Sequence, residues 1–242
     1  MKRIVLPLLL LTGVASFGQS SLLKKASSVL NKAKSGTGTT SLSNDDIVAG
    51  LKEALSVGAK NSANKLSSVD GFFANAAIKV LMPPEAKKVE TALRTAGMGK
   101  LVDNAILSMN RAAEEASKSA APIFVNAITS MSFTDALNIL KGSDTAATGY
   151  LRGKTVAALT SAFRPVIDTA LSKTAATSYW KTVFDAYNKL PTTFNKINPD
   201  LAGYVTEKSL SGMFYQVAQE EQKIRKDPAA RVTDILKKVF GS

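Results

Sequence analysis

A polar cluster in the segment MNRAAEEAS, Met109–Ser117, has residue types that can bind a polar group. On a helix, Asn110 and Glu114 fall on one flank a turn apart, and Arg111 lies farther round. A carboxylate and an amide in these positions would hold the polar head group of a ligand or form a buried network between helices. The alternative is a surface ladder of charged pairs, each worth about a few tenths of a kcal/mol.

A second candidate is the segment GSDTAATGYLR, Gly142–Arg152, which joins the end of one helix to the start of the next. Ser143 or Asp144 is expected to cap the new helix. Exposed backbone N–H groups at such a start, with Arg152 two turns on, would receive an anion. Against this, Asp144 would repel an anion, and every capped helix has such N–H groups. Tyr150 is interpreted as a core or boundary aromatic residue rather than a catalytic acid.

A third candidate lies near the end of the chain, where Glu221 and Arg225 are one helical turn apart in EEQKIRKDP. This spacing predicts a salt bridge that orients the last two helices. It does not predict glycoside hydrolysis, because two catalytic carboxylates must face each other across roughly 5–9.5 Å. Adjacent acids such as Glu114 and Glu115 point in diverging directions on a helix.

The chain contains neither histidine nor cysteine. It therefore cannot form a zinc site with thiolate or imidazole ligands, a disulfide framework, a Ser-His-Asp triad or a Cys-His pair. Catalysis would have to use carboxylates, lysine, tyrosine or a Ser/Lys pair, and no motif marks any of these. We therefore expect no enzyme activity, no metal site and no cofactor.

The elements that position these residues are predicted to be helices almost throughout. Apolar residues recur at three- and four-residue spacing, and alternating strand-like runs are scarce. The fold class is therefore all-α, a single-domain bundle of about eight to ten helices over residues 45–242. Capping boxes are predicted where Ser43 precedes Asp46 and where Ser132 precedes Asp135.

Prolines and alanines add detail to this pattern. Pro165 is expected to kink or split a long helix over about residues 145–173. Two helices are each predicted to begin with an N-cap residue followed by a proline at the first helical position, at Asn198–Pro199 and at Asp227–Pro228. Residues 98–120 carry a continuous apolar stripe whose second half is alanine, which would let another helix approach closely.

Residues 1–18 have the three-part layout of a secretory signal peptide. Lys2 and Arg3 precede an apolar run over residues 4–11, and small residues follow it. The run is shorter than the about 20 residues that a transmembrane helix needs. Cleavage is predicted before Gln19, with cleavage after Ala15 or after Ser20 as alternatives, so the mature protein is expected outside the cytosol. Because no cysteine stands at that junction, a lipoprotein anchor is not expected.

The net charge of the chain is +12, and it falls to about +10 without Lys2 and Arg3. Residues 19–44 comprise a basic amphipathic segment, residues 20–34, and a flexible linker. The segment is expected to lie on an anionic membrane surface, to dock on a neighbouring subunit or to pack on the protein's own core. Nucleic-acid binding is not expected, because the chain is exported and its basic residues lack interleaved aromatic residues.

Four motifs resemble, in order and spacing, an uncharacterised bacterial family, domain of unknown function 4197. They are MNRAAEEAS, ILKGSDTAATGYLR, YVTEKSLSGMF and EEQKIRKDPAARVTDILKKVF. The resemblance covers about residues 46–240 and implies an exported, helical, single-domain protein of the Gram-negative periplasm, with no activity to transfer. The chain departs from the family pattern at Gly149 and Leu151, where a polar and an aromatic residue are more usual.

These features favour two hypotheses of function over a third, an enzyme that uses carboxylates or a Ser/Lys pair. The first is a periplasmic protein that binds a hydrophobic or amphipathic, lipid-like ligand between helices packed along the alanine stripe. The alternative is a non-catalytic structural or partner-binding protein of the cell envelope, with a partner that the sequence does not identify. In either case the candidate residues for binding or for a polar network are Asn110, Arg111, Glu114, Tyr150, Arg152, Glu221 and Arg225.

Overall fold

The fold consists of α-helices joined by short connections. The computed structural model describes residues 43–174, residues 180, 185, 188 and 196, and residues 200–226. These residues form seven α-helices and one 3₁₀ turn, Pro84–Ala86, and contain no strand. The helices are α1 (Asn44–Ser67), α2 (Lys87–Thr95), α3 (Gly99–Ser117), α4 (Ala120–Thr129), α5 (Phe133–Lys141), α6 (Ala146–Ser172) and α7 (Leu201–Lys226). The all-α prediction is confirmed, whereas eight to ten helices stays a prediction for the whole chain.

Several predictions concern residues outside this described part. They are the signal peptide at 1–18, the basic segment at 20–34 and the proline corner at Asp227–Pro228. The described residues belong to one structural unit, Leu42–Ser242. Among them, no single helix combines the length and apolar content of a membrane span, although α4 and α5 would do so jointly across a bend of 106°.

Two helices begin with the capping boxes expected from the sequence. The Ser43 hydroxyl accepts the Asp46 N–H at 3.1 Å, and the Asp46 carboxylate accepts the Ser43 N–H at 3.2 Å. Ser132 and Asp135 repeat both bonds at 3.1 Å. Both predictions are confirmed, and they needed only local sequence because the partners are three residues apart.

The connection between α1 and α2, which we call loop 68–83, is made of turns and extended chain. Asp70 has a positive φ of 66°. At Gly71, a Cβ atom would lie 2.5 Å from the carbonyl oxygen of Lys65, so only glycine fits this turn. Phe72 follows with 0% exposure. The loop therefore contributes to the core although it is not helical.

The alanine stripe of α3 lies in the centre of the core. Ala112, Ala113 and Ala116 are fully buried, and α3 packs against α1, α6 and α7. Small side chains allow such close helix approach. The protein's own helices therefore occupy the surface that the stripe presents. Across the same core, the Phe124 and Phe214 rings meet edge to face at 5.8 Å.

The two longest helices bear on the expected break at Pro165 and on the expected cap before the helix that begins at Leu201. α6 continues through Pro165, so the proline does not split the helix. The ring is on the exposed side of α6, where water can satisfy the carbonyl that loses its donor. At the start of α7, the Asp200 carboxylate accepts the Gly203 N–H at 2.9 Å. Asp200 is thus an N-cap, whereas the expected cap Asn198 lies outside the described residues.

Candidate functional site

Asn110 of α3 holds loop 68–83 through its side-chain amide. The amide donates to the Val80 carbonyl at 2.8 Å and accepts the Val80 N–H at 2.9 Å. It also donates to the Ile106 carbonyl one turn earlier on α3, at 2.8 Å. Asn110 is 0% exposed. Its side chain satisfies the buried N–H and carbonyl groups of Val80, which have no place in a helix or sheet and would otherwise lack partners.

Glu114, one turn after Asn110, binds the start of the same loop. One carboxylate oxygen accepts the backbone N–H groups of Phe72 at 3.1 Å and Phe73 at 3.2 Å. The other oxygen forms an ion pair with Arg111 at 2.6 Å. Arg111 also pairs with Asp70 at 2.7 Å. We call Asn110, Arg111 and Glu114 the loop clamp.

The loop clamp shows that the polar residues of the segment Met109–Ser117 form a buried network and not a surface ladder of charged pairs. Glu114 is 4% exposed, so it is not part of a surface ladder. The two carboxylates beside Arg111 raise the pKa of its guanidinium, first through the hydrogen bond with Glu114 and then through that with Asp70. Asn110 binds backbone groups, and Glu114 binds backbone N–H groups and the Arg111 side chain, so all these partners belong to the protein itself.

Glu221 of α7 occupies the N-terminus of α6. One carboxylate oxygen accepts the Ala147 N–H at 3.0 Å, and the other accepts the Thr148 N–H and hydroxyl, each at 2.8 Å. Exposed N–H groups at a helix start favour a negative charge. The anion expected at this helix start is therefore the protein's own Glu221, which is 5% exposed.

Arg225 completes this second network, which we call the helix-end clamp. Its guanidinium pairs with Glu221 at 2.9 Å and donates to the Ile139 carbonyl near the end of α5 at 2.8 Å. The expected salt bridge within α7 is present, and it joins α7 to both α5 and α6. Beside it, Lys226 lies 2.7 Å from Asp144 and lowers the pKa of that carboxyl group.

Tyr150 and Arg152 lie on α6 beyond the helix-end clamp. Tyr150 packs against the core, and burial raises the pKa of its hydroxyl, with a further contribution from Asp135. Lys154 lies 5.7 Å from the centre of its ring. The Arg152 guanidinium lies 4.5 Å from the ring centre of Phe214, a cation–π contact between α6 and α7.

The structure does not bring the candidate residues into one site. Arg111 and Glu114 meet at loop 68–83, whereas Glu221 and Arg225 meet at the start of α6. Within the described part of the chain, every buried side-chain nitrogen or oxygen has a hydrogen-bond partner. The same part contains no group of three or more acidic side chains placed to hold a metal ion.

A groove beside Tyr204 was not predicted from the sequence. It measures about 640 Å³. The Tyr204 hydroxyl donates to the Leu81 carbonyl at 2.8 Å, its ring stacks on Trp180 at 6.1 Å, and burial raises its pKa to about 12. An ion pair between Arg164 and Asp200 at 2.7 Å also lines the groove. Pro83 and Pro84, which also line the groove, are a local sequence signal for a chain break at this place.

From Lys154 to Ser172, one side of α6 carries exposed residues. Buried residues recur on α6 every fourth position, from Ala147 to Leu171. A four-residue step goes about 40° beyond a full helical turn, so this buried row winds round α6 and lies opposite Ser161 only near Leu159 and Phe163. A strip of residues at 3.5-residue spacing on average, centred on Ser161, runs along the exposed side. We call this strip the outer face. It consists of Tyr150, which is partly buried, and of exposed Lys154, Ala157, Ala158, Ser161, Arg164, Pro165, Asp168 and Ser172.

The comparisons with known proteins add one finding. No curated protein and no solved structure matches the chain. One family model, described as a protein of unknown function (DUF4197), matches residues 41–241. This confirms the resemblance that the four motifs indicated. The chain therefore belongs to the DUF4197 family of proteins of unknown function.

Proposed function

We propose that this protein is an exported, non-catalytic, partner-binding protein of the Gram-negative periplasm. Its contact surface is the outer face of α6. The proposal takes the export signal at residues 1–18 and the family membership as its setting. Among the described residues, the polar groups of both clamps bind backbone groups and charged side chains of the protein itself, which supports a structural role for them.

The observation that carries the proposal is Pro165 on the outer face. A proline inside a helix removes a hydrogen bond and costs about 3 kcal/mol or more. Pro165 is exposed, so burial of its ring in the core offsets little of this cost. Next to it, Ala157, Ala158 and Ser161 form a smooth centre on which another helix can lie closely. A partner that needs such a surface accounts for both features.

Photo-crosslinking tests this proposal in intact cells. A benzoylphenylalanine residue is placed at Ala158 of the outer face and, as a matched control, at Ala92, an exposed helical alanine on α2. We expect a crosslinked adduct of higher mass from position 158 and none from position 92. If neither Ala158 nor Ser161 yields an adduct when the protein is exported at its natural level, the outer face is not a contact surface.

A second candidate function is the binding of an amphipathic, lipid-like ligand, and the Tyr204 groove favours it. Its volume of about 640 Å³ is in the range of ligand pockets, about 300–1,000 Å³. Three basic and three acidic side chains border it, so it suits a head group that carries both charges. They are Arg164, Lys196, Lys208, Glu85, Asp200 and Glu207.

Mass spectrometry of an organic extract of the purified mature protein tests the ligand. A stoichiometric lipid that is absent from a control protein of similar charge would support the second candidate. Its loss in a Tyr204→Ala variant, but not in Tyr215→Ala, would assign it to the groove. Loss on deletion of residues 19–44 alone would assign it instead to the basic segment 20–34, which we propose to contact anionic membrane.

A further inference from the structure

The outer face of α6 has opposite charges at equal distances from its centre. Lys154 and Asp168 each lie seven residues from Ser161. Seven residues are close to two turns of an α-helix, so both side chains return to the face of Ser161. Each is about 10 Å from Ser161 along the helix axis. Lys154 and Asp168 form no ion pair within the described residues.

This pattern is complementary to itself when one helix is reversed. We propose that the outer face of α6 pairs with the same face of a second copy of this chain, antiparallel, around a two-fold axis at Ser161. The inference rests on the proposed function and names its partner. In this arrangement, Lys154 of each copy lies opposite Asp168 of the other, so that two identical ion pairs form.

The centre of the face fits the same arrangement. Close to the axis, Ala157 of one copy meets Pro165 of the other, and Ser161 meets Ser161. These side chains are small, so the helix axes can approach to about 8 Å, the short end of the usual range. Pro165 has no N–H group for the Ser161 carbonyl. That carbonyl is therefore an acceptor at the axis, where the hydroxyl of the second Ser161 can donate to it.

The size of the face sets the strength of the pairing. Residues 150–172 extend about 33 Å along one helix, and a single helix strip buries less area than the about 1,200–2,000 Å² of a standard interface. The dimer is accordingly weak and reversible. The fraction of dimer depends on protein concentration, so it should be measured over a series of dilutions.

Sedimentation equilibrium of the purified mature protein, across a wide concentration range, measures this association. We expect a monomer–dimer equilibrium for the natural chain. Ala158→Trp should abolish the dimer, because a large side chain holds the helices apart, whereas the matched control Ala92→Trp should leave it unchanged. Circular dichroism checks that both variants keep their helices.

Charge reversal tests the two-fold register. Lys154→Asp alone and Asp168→Lys alone each create two like-charge contacts and should weaken the dimer about tenfold. Mixing the two variants should restore it, because every contact in the mixed dimer again joins opposite charges. Matched reversals at exposed positions of α1, Lys60→Asp and Glu53→Lys, should have no effect.

Two results would overturn the inference. One is a natural chain that stays monomeric at every concentration, and the other is a dimer that Ala158→Trp leaves intact. Neither result touches the proposed function by itself. A photo-crosslink from Ala158 to a different protein would keep the outer face as a contact surface and replace the second copy as the partner. The absence of any crosslink would contradict both the outer face as a contact surface and the second copy as its partner.

Discussion

Glu114 and Glu221 lie on different helices and make the same kind of contact. Each carboxylate accepts two successive backbone N–H groups, those of Phe72 and Phe73 for Glu114 and those of Ala147 and Thr148 for Glu221. Each also pairs with an arginine of its own helix. A buried carboxylate that satisfies two adjacent donors fixes the backbone direction at that point. The fold therefore uses the same device twice, once for a loop and once for a helix start.

Replacing Glu114 by Gln should destabilise the protein. The amide keeps one acceptor oxygen but loses the ion pair with Arg111, so we expect the free energy of unfolding to fall by about 2–3 kcal/mol. Urea unfolding followed by circular dichroism measures this. The control is Glu115→Gln, which removes only the exposed pair with Lys118 and should cost less than about 1 kcal/mol. Equal losses would contradict the role of the loop clamp.

Asn110→Asp should act through charge rather than size. The two side chains have the same shape, but a carboxylate at this position faces the carbonyl oxygens of Val80 and Ile106. We expect a loss of about 3 kcal/mol at neutral pH. The neutral acid can donate a hydrogen bond, so the folded-state pKa of the new group is raised, and stability should return as the pH falls. A loss that is the same at pH 7 and at mildly acidic pH would exclude this explanation.

Removing the helix-end clamp should loosen the start of α6. In a Glu221→Gln variant, the Ala147 and Thr148 N–H groups lose a charged acceptor near the positive end of the helix. We expect amide hydrogen exchange to become at least about tenfold faster at these two residues, which corresponds to about 1.4 kcal/mol. Exchange in the middle of α3 serves as the internal control. Unchanged protection at Ala147 would show that the carboxylate is not needed there.

Tyr204 should make stability depend on alkaline pH. Burial raises its pKa to about 12 in the folded protein, whereas an unfolded tyrosine has a pKa of about 10. The contribution is therefore complete below about pH 10 and is lost as the pH rises through about 12. Urea unfolding at several pH values should show a steeper loss for the natural chain than for Tyr204→Phe. Tyr215→Phe, at an exposed site, should follow the natural chain.

Two glycines test the helix packing, because replacing each by alanine should change the stability of the protein in opposite directions. A Cβ atom at Gly153 on α6 meets nothing within 4 Å, whereas one at Gly212 on α7 would lie 2.6 Å from the Phe72 ring. Gly153→Ala should therefore stabilise the protein by about 0.5–1 kcal/mol. Gly212→Ala should destabilise it by about 1–3 kcal/mol. Thermal unfolding compares them, and a shift of the same sign in both variants would contradict the packing described for α7.

Features that depend on residues close in sequence could be predicted. The capping boxes at Ser43 and Ser132 and the ion pair of Glu221 with Arg225 join residues three or four positions apart. The flank shared by Asn110 and Glu114 also follows from helical spacing. These interactions depend on the local backbone alone, and helical periodicity describes that backbone well.

The partners of the same residues could not be predicted. Asn110 binds Val80, 30 residues away, and Glu221 binds Ala147, 74 residues away. Only the packing of whole helices brings such groups together. The sequence allows an anion at the start of α6, but Asp144 close by argues against one, and nothing local indicates that Glu221 binds these N–H groups.

The sequence distance between Glu221 and α6 has a consequence for the order in which the protein acquires its structure. The chain is made from its N-terminus, so the residues of α6 exist before the carboxylate that binds its first turn. Without Glu221, the Ala147 and Thr148 N–H groups must be bound by water. The first turn of α6 and its junction with α5 can therefore reach their final hydrogen bonds only once α7 has docked.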